Sequence, residues 1–302
     1  MSRSMNRALV TGVDDRALRE QLGDDLWTLT SRLDAPVARV AALSVARHGP
    51  RATFRLALTD GRVVKGRRCG DEAQAVRMAA LGAYLDPRHF PRVLERHGAA
   101  LLEGWIEGQP PSSRGADGLA RRAGAILAGV HATALPEALH AGAPSYAESS
   151  ATRLAAGLED LVRRQAIGAS AGATARELAL GKAPRRMQCG LAHGDLCAEN
   201  IILDAAGELH VVDNETVLVH PPEYDLARSW YRWPMRPAER VAYERGYGRS
   251  RAREAFRLHF EFWVVLVLVE ALLFRLDVGA DHQAPLERLS ALIRRARAAG
   301  RG

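Results

Sequence analysis

The segment His193-Gly194-Asp195-Leu196-Cys197-Ala198-Glu199-Asn200 sets an aspartate and an asparagine five positions apart. The chain then runs through Ile201-Ile202-Leu203, a turn at Asp204 to Gly207, and a second apolar run ending Val211-Val212-Asp213. Physically, this is a loop followed by a β-hairpin that returns a second carboxylate beside the first. Phosphoryl transfer needs such groups: one carboxylate to orient an attacking hydroxyl, and an amide oxygen with another carboxylate to hold Mg²⁺ against nucleotide phosphates. His-Gly-Asp alone reads as a turn and Asp213 alone as a loop cap, whereas the ordered set reads as a site.

The elements that must carry these groups follow from periodicity. Asp14 to Leu33 predicts one or two short helices, with Leu18, Leu22 and Leu26 at helical spacing. Val37 to Ala46, Ala52 to Leu58 and Val63 to Arg67 predict an antiparallel meander, broken at His48-Gly49-Pro50 and at the hairpin signal Thr59-Asp60-Gly61. Asp71 is placed to cap a helix reaching about Leu85, with Glu72 in its first turn, and two more strands are expected at Arg92 to Arg96 and Ala99 to Leu102. Beyond Gly104-Trp105-Ile106-Glu107-Gly108 the pattern is helical: Asp117 to Ala134, Tyr146 to Arg164, Ala173 to Leu180, Pro237 to Gly246, Arg251 to Asp277 and a last helix to Ala299, with Ile167 to Gly172 as a loop. The fold class is therefore α+β, a small antiparallel-sheet lobe over 1–103 and a larger helical lobe over 104–302.

Of 302 residues, 47% are hydrophobic and 25% charged, an ordinary globular balance. The start of the chain carries no apolar stretch of signal-peptide type, and Trp263 to Phe274 is too short to span a bilayer and holds Glu270. A soluble, cytoplasmic protein without a membrane partner is expected. Cys69, Cys189 and Cys197 form no ligand-like spacing and suit a reducing compartment. The net charge of +7 raises nucleic acid as a partner, but the positive residues are scattered and not interleaved with aromatics, so none is expected. Only Lys65 and Lys182 are lysines, so arginine supplies 40 of the 42 basic residues. A lysine closing the third strand then draws notice as a compact point charge.

The segment from His193 to Asp213 resembles the catalytic and metal-binding loops of the aminoglycoside phosphotransferase and choline kinase family, which has a protein-kinase-like bilobal fold. The resemblance implies an ATP-dependent transfer to a hydroxyl of a small molecule, with Asp195 as catalytic base and Asn200 and Asp213 as Mg²⁺ ligands. Asn214 and Glu215 follow Asp213 where relatives often have an aromatic and an acidic residue. Tyr224-Asp225-Leu226-Ala227 matches a family segment whose aspartate braces the catalytic loop, so Asp225 and His193 are structural supports. On the nucleotide side, the resemblance implies that Lys65 meets the ATP phosphates, paired with Glu72. It also implies that the loop holding Gly49 covers the phosphates, and that the backbone near Glu103 to Trp105 meets adenine. Only one glycine occupies that loop.

The acceptor stays open. Arg228-Ser229-Trp230-Tyr231-Arg232-Trp233-Pro234 reads first as a packed helix with snorkelling arginines and second as an acceptor pocket suited to sugars or anions. Glu254, Glu261 and Glu270 fall on one expected helix, with Arg257 as a partner for Glu261, and Glu270 in its apolar run needs an internal partner. A catalytically weak pseudokinase that binds nucleotide or a protein partner is the alternative function. His131 reads as a packed histidine.

Overall fold

In the computed structural model the described residues are 15–45, 50–111, 116–140 and 146–299. In chain order the elements are helices α1 (Asp15–Leu22) and α2 (Asp24–Thr30), strands β1 (Val37–Val45), β2 (Ala52–Leu58) and β3 (Val63–Arg68), helix α3 (Glu72–Gly82), and strands β4 (Val93–His97) and β5 (Ala100–Gly104). Next come α4 (Ala116–Ala132), α5 (Glu137–His140), α6 (Tyr146–Arg163), α7 (Ala169–Leu180), β6 (Gly190–Ala192), a 3-10 turn at Ala198–Asn200, β7 (Ile201–Leu203), β8 (Leu209–Val211) and β9 (Leu218–His220). Helices α8 (Pro222–Arg232), α9 (Pro237–Tyr247), α10 (Arg251–Leu258), α11 (Phe260–Asp277) and α12 (Gln283–Ala299) complete the chain. It divides into two compact units, Met1–Pro111 with Ile201–Leu218, and Ser112–Asn200 with Val219–Gly302. The boundary expected after Glu103 thus lies inside the first unit, which also takes back the β7–β8 hairpin.

The first unit is built on a five-stranded sheet of order β1-β2-β3-β5-β4, every neighbouring pair antiparallel. The β2–β3 turn needs a left-handed residue, which Gly61 supplies at φ 86°. β2 alternates buried and half-buried positions, as a strand with one face on a core must. That core joins Leu18, Leu22, Leu26 and Leu29 from α1 and α2 to Phe54, Leu56, Val64 and Leu102 of the sheet. Asp71 caps α3 by accepting from the Gln74 amide at 2.7 Å, a contact worth about 1 kcal/mol.

The second unit is helical and centred on α11, whose residues Phe262 to Val269 are all buried. A helix apolar all round must be covered all round, and α6, α7, α8 and α12 pack against it. The single helix expected from Arg251 to Asp277 is two, α10 and α11, because His259 leaves helical geometry at φ −112°, ψ 27°. Glu254 and Glu261 therefore lie on different helices, and Arg257 pairs with Glu244 of α9 instead of Glu261. Glu270 finds the internal partners its burial requires: Tyr224 Oη donates to it at 2.8 Å, and Arg153 lies at 3.4 Å. The expected loop at Ile167 to Gly172 is the start of α7, with Ala169 already helical. No described helix is long and apolar enough to cross a membrane.

Candidate active site

β6 delivers the chain into the loop that starts at His193, where Gly194 takes a left-handed φ of 79°. The loop is held from behind by α8. Asp225, fully buried, accepts from the backbone amides of His193 and Gly194 at 2.6 Å each and faces His131 Nε2 at 3.0 Å. Burial works against that carboxylate's charge, but the hydrogen bond from His131 and the neighbouring donors outweigh it, so its pKa lies below the usual range. His131 is itself fixed by Tyr247 Oη, 2.7 Å from Nδ1. His131, read from sequence as a packed histidine, belongs to this brace, as does His193, whose Nδ1 accepts from the Asp195 amide at 3.2 Å.

The same stripe of α8 reaches Asp195. Residues 225, 228, 229 and 232 recur at three- and four-residue spacing and so share one helix face. Arg228 Nη2 and Arg232 Nε both donate to Asp195 Oδ1, each at 3.0 Å. Arg228 Nε donates to the Gly194 carbonyl at 2.9 Å, Ser229 Oγ to the Leu196 carbonyl at 3.0 Å, and Arg232 Nη2 to Glu199 at 3.0 Å. Asn200 Nδ2 donates to the Asp195 carbonyl at 2.8 Å and to its Oδ2 at 3.2 Å. α8 is thus both packed helix and collar: Tyr231 and, just past the helix end, Trp233 are buried, while Arg228 and Arg232 leave the apolar stem for a carboxylate.

In the first unit, Lys65 and Arg67 alternate to one face of β3, where both are buried. Lys65 Nζ donates to the Val212 carbonyl at 2.8 Å and pairs with Glu103 Oε2 at 3.3 Å. Arg67 donates to Glu103 at 3.1 Å, to Asp213 Oδ1 at 2.9 Å and to Glu215 at 3.0 Å. Burial opposes ionisation of Asp213, yet the Arg67 and Lys65 cations hold its carboxyl below the usual range. The same two cations keep the fully buried Glu103 ionised.

The carboxylate beside Lys65 is therefore Glu103, not Glu72. Register decides this: Lys65 lies directly opposite Glu103 across β3 and β5. Glu72 is exposed and pairs with Arg96 at 3.1 Å. Trp105 follows β5, its Nε1 donating to Glu107 at 2.6 Å and its ring 5.2 Å beneath the Arg55 guanidinium. Gly49 lies outside the described residues.

In the second unit, Asn200 uses its amide nitrogen on Asp195, and among the described residues its side-chain oxygen accepts no hydrogen bond. In the first unit, Asp213 brings a carboxylate set beside Arg67 and Lys65. An amide oxygen and a carboxylate oxygen are each hard donors of the kind Mg²⁺ takes. The described residues hold no cluster of three or more His, Cys, Asp or Glu that would suit a metal held by protein alone. Arg67 was not among the expected site residues, and Asp195 was not expected as the partner of Arg228 and Arg232. The three-and-four spacing from Asp225 was the available signal for the last two, and Arg67 had none in a chain so rich in arginine.

A family model described as the phosphotransferase enzyme family matches residues 43–259. No curated protein sequence matches the chain. Among solved structures, a macrolide 2'-phosphotransferase type I is similar at TM-score 0.63 and 18% identity, over 95% of this chain and 98% of that one. Plasmodium vivax ethanolamine kinase follows at 0.62 and 13%, over 85% and 84%. An ADP-bound aminoglycoside phosphotransferase, APH(2'')-Ib, stands at 0.61 and 16%, over 88% and 95%. The fold is the protein-kinase-like one, an antiparallel five-stranded sheet with a mostly helical remainder.

Proposed function

The chain belongs to the phosphotransferase enzyme family, and from that premise we propose that it transfers the γ-phosphoryl group of ATP to a hydroxyl of a small molecule, with Asp195 as base. The observation that carries this reading is the environment of Asp195: a half-buried carboxylate fixed by Asn200 and α8, on a loop whose amides are tied to Asp225. Such fixation lets a carboxylate orient a hydroxyl without reorganising. In the transfer, the acceptor oxygen bonds to the γ-phosphorus, the bond to the bridging β,γ-oxygen breaks, and the hydroxyl proton passes to Asp195. ADP leaves with the bridging oxygen. Lys65 supplies a point charge to the triphosphate, and the backbone at the end of β5, near Glu103 to Trp105, is the candidate for adenine. Asn200 and Asp213 would hold Mg²⁺, which supplies charge neutralisation at the phosphates. ATP- and ADP-bound structures among the similar phosphotransferases support nucleotide use.

Phosphorus-31 NMR of the protein with MgATP and a panel of aminoglycosides, sugars and amino alcohols tests the reading. Acceptor-dependent ADP together with a new phosphoester signal is the expected result. Absence of any MgATP binding would overturn it. A second reading, a nucleotide-binding module without turnover, draws on one observation: Arg67 occupies an oxygen of Asp213 that a metal would use. Tight MgATP binding with no turnover across the panel would favour it.

A further inference from the structure

Asp195 sits under two arginines, more positive charge than a base that only receives a proton requires. Arg228 and Arg232 are one turn apart on α8, partly exposed at 20% and 26% of their side chains, and both donate to Asp195 Oδ1. Their spending is incomplete. Arg228 uses Nε on the Gly194 carbonyl and Nη2 on Asp195; Arg232 uses Nε on Asp195, and Nη2 on Glu199, Cys197 Sγ and, at 3.5 Å, Asp195 Oδ2. Among the described residues, neither Nη1, with its two N–H donors, has a hydrogen-bond partner. Glu199, the other acid at this collar, is 74% exposed and so contributes little fixed negative charge.

We propose that Arg228 and Arg232 select an acceptor bearing an oxyanion, a carboxylate or a phosphate, close to the hydroxyl that is phosphorylated. Guanidinium donors favour oxyanions because planar N–H pairs match the spacing of two oxygens. A hydroxyl seated on Asp195 lies next to the two guanidinium groups that hold that carboxylate, so its neighbouring substituents are within their reach. An anion there is paired, a neutral group leaves the donors to water, and an ammonium meets like charge. The inference rests on the phosphotransferase reading for the role of Asp195, but the binding preference itself needs no nucleotide.

The test uses two carbon frames in which only one charged group changes. The first is glycerol, glycerate, glycerol 3-phosphate and 3-amino-1,2-propanediol; the second is glucose, gluconate, glucose 6-phosphate and glucosamine. Dissociation constants are measured by ligand-observed NMR without nucleotide, and kcat/KM with MgATP. At least one anionic member should exceed its neutral counterpart by about ten-fold or more in both, with the ammonium member weakest. Comparison of the carboxylate and phosphate arms tells which oxyanion is meant. Arg228→Gln and Arg232→Gln should bring the anionic-to-neutral ratio toward one, and the two Arg→Lys variants should restore part of it. A merely structural loss would lower both members equally and leave the ratio intact. Equal or better use of neutral or ammonium acceptors, or no binding of any anionic member, overturns the proposal. A protein that hydrolyses ATP yet shows no anionic preference sinks this inference alone. One that selects anions without nucleotide but neither binds nor turns over ATP sinks the kinase reading instead.

Discussion

Arg67 Nη2 donates to Asp213 Oδ1 at 2.9 Å, and the same guanidinium reaches Glu103 and Glu215, so one buried cation gathers three carboxylates. Its side chain is 5% exposed. Removing a buried partner leaves uncompensated charge, which costs more than the pair contributes. Arg67→Gln should therefore lower the unfolding free energy by about 3 kcal/mol in urea titration. Glu215→Gln, a third exposed, should cost under about 1 kcal/mol. Equal effects from the two would contradict this ranking.

Lys65 is fitted between the Val212 carbonyl and Glu103, and burial lowers its pKa even with Glu103 beside it. Arginine keeps the charge but brings a wider head into a closed space. Lys65→Arg should reduce kcat/KM for ATP by about a hundred-fold, the scale of a lost transition-state donor. Steady-state kinetics at varied ATP would show this, and unchanged values would remove Lys65 from the phosphate role.

Acid should destabilise the second unit in two stages. Burial, with Arg153 nearby, lowers the pKa of His220 to about 4 from an ordinary 6.5. The unfolded chain then binds the extra proton between those values, so stability is complete above about pH 6.5 and falls as pH drops toward 4, by roughly 3 kcal/mol. Asp225, held below its ordinary range, adds a further loss below the unfolded value of about 3.9. His220→Phe keeps a ring against Tyr224, 4.2 Å away, and should flatten the first stage only. Urea midpoints from pH 7 to pH 3 test both.

α4 and α9 approach backbone to backbone at two glycines. A Cβ on Gly246 would stand 1.8 Å from the Arg121 carbonyl oxygen, and one on Gly124 would stand 2.1 Å from that of Tyr243. Gly246→Ala should force the helices apart at a cost of about 2–3 kcal/mol. Gly129→Ala, on the same α4 with open space around its position, should be neutral or slightly stabilising. Thermal melts of the two variants provide the comparison.

The brace of the candidate site was legible in sequence, because Asp225 and the His193–Asn200 loop lie on short stretches whose residue order carries the information. The partner of Lys65 was not legible, because strand register, not chain proximity, sets Glu103 opposite it. Glu72, nearer in sequence, faces Arg96 instead. The break at His259 escaped notice because apolar periodicity continues across it and no proline or glycine marks it. The three-residue strands β6 and β9 are too short for an alternating pattern to be read.

The central claim is that Asp195 receives the acceptor's proton, and Asp195→Asn tests it most directly. Asparagine keeps the shape, and Asn200 keeps its contact with the backbone carbonyl of residue 195, while one basic oxygen is replaced by an amide nitrogen. Nucleotide affinity and acceptor turnover are measured on the same preparation, by titration with MgATP and by phosphorus-31 NMR. The account predicts MgATP affinity within about three-fold of the parent and turnover reduced by at least about a thousand-fold. Turnover at the parent's level, with MgATP bound, would contradict it.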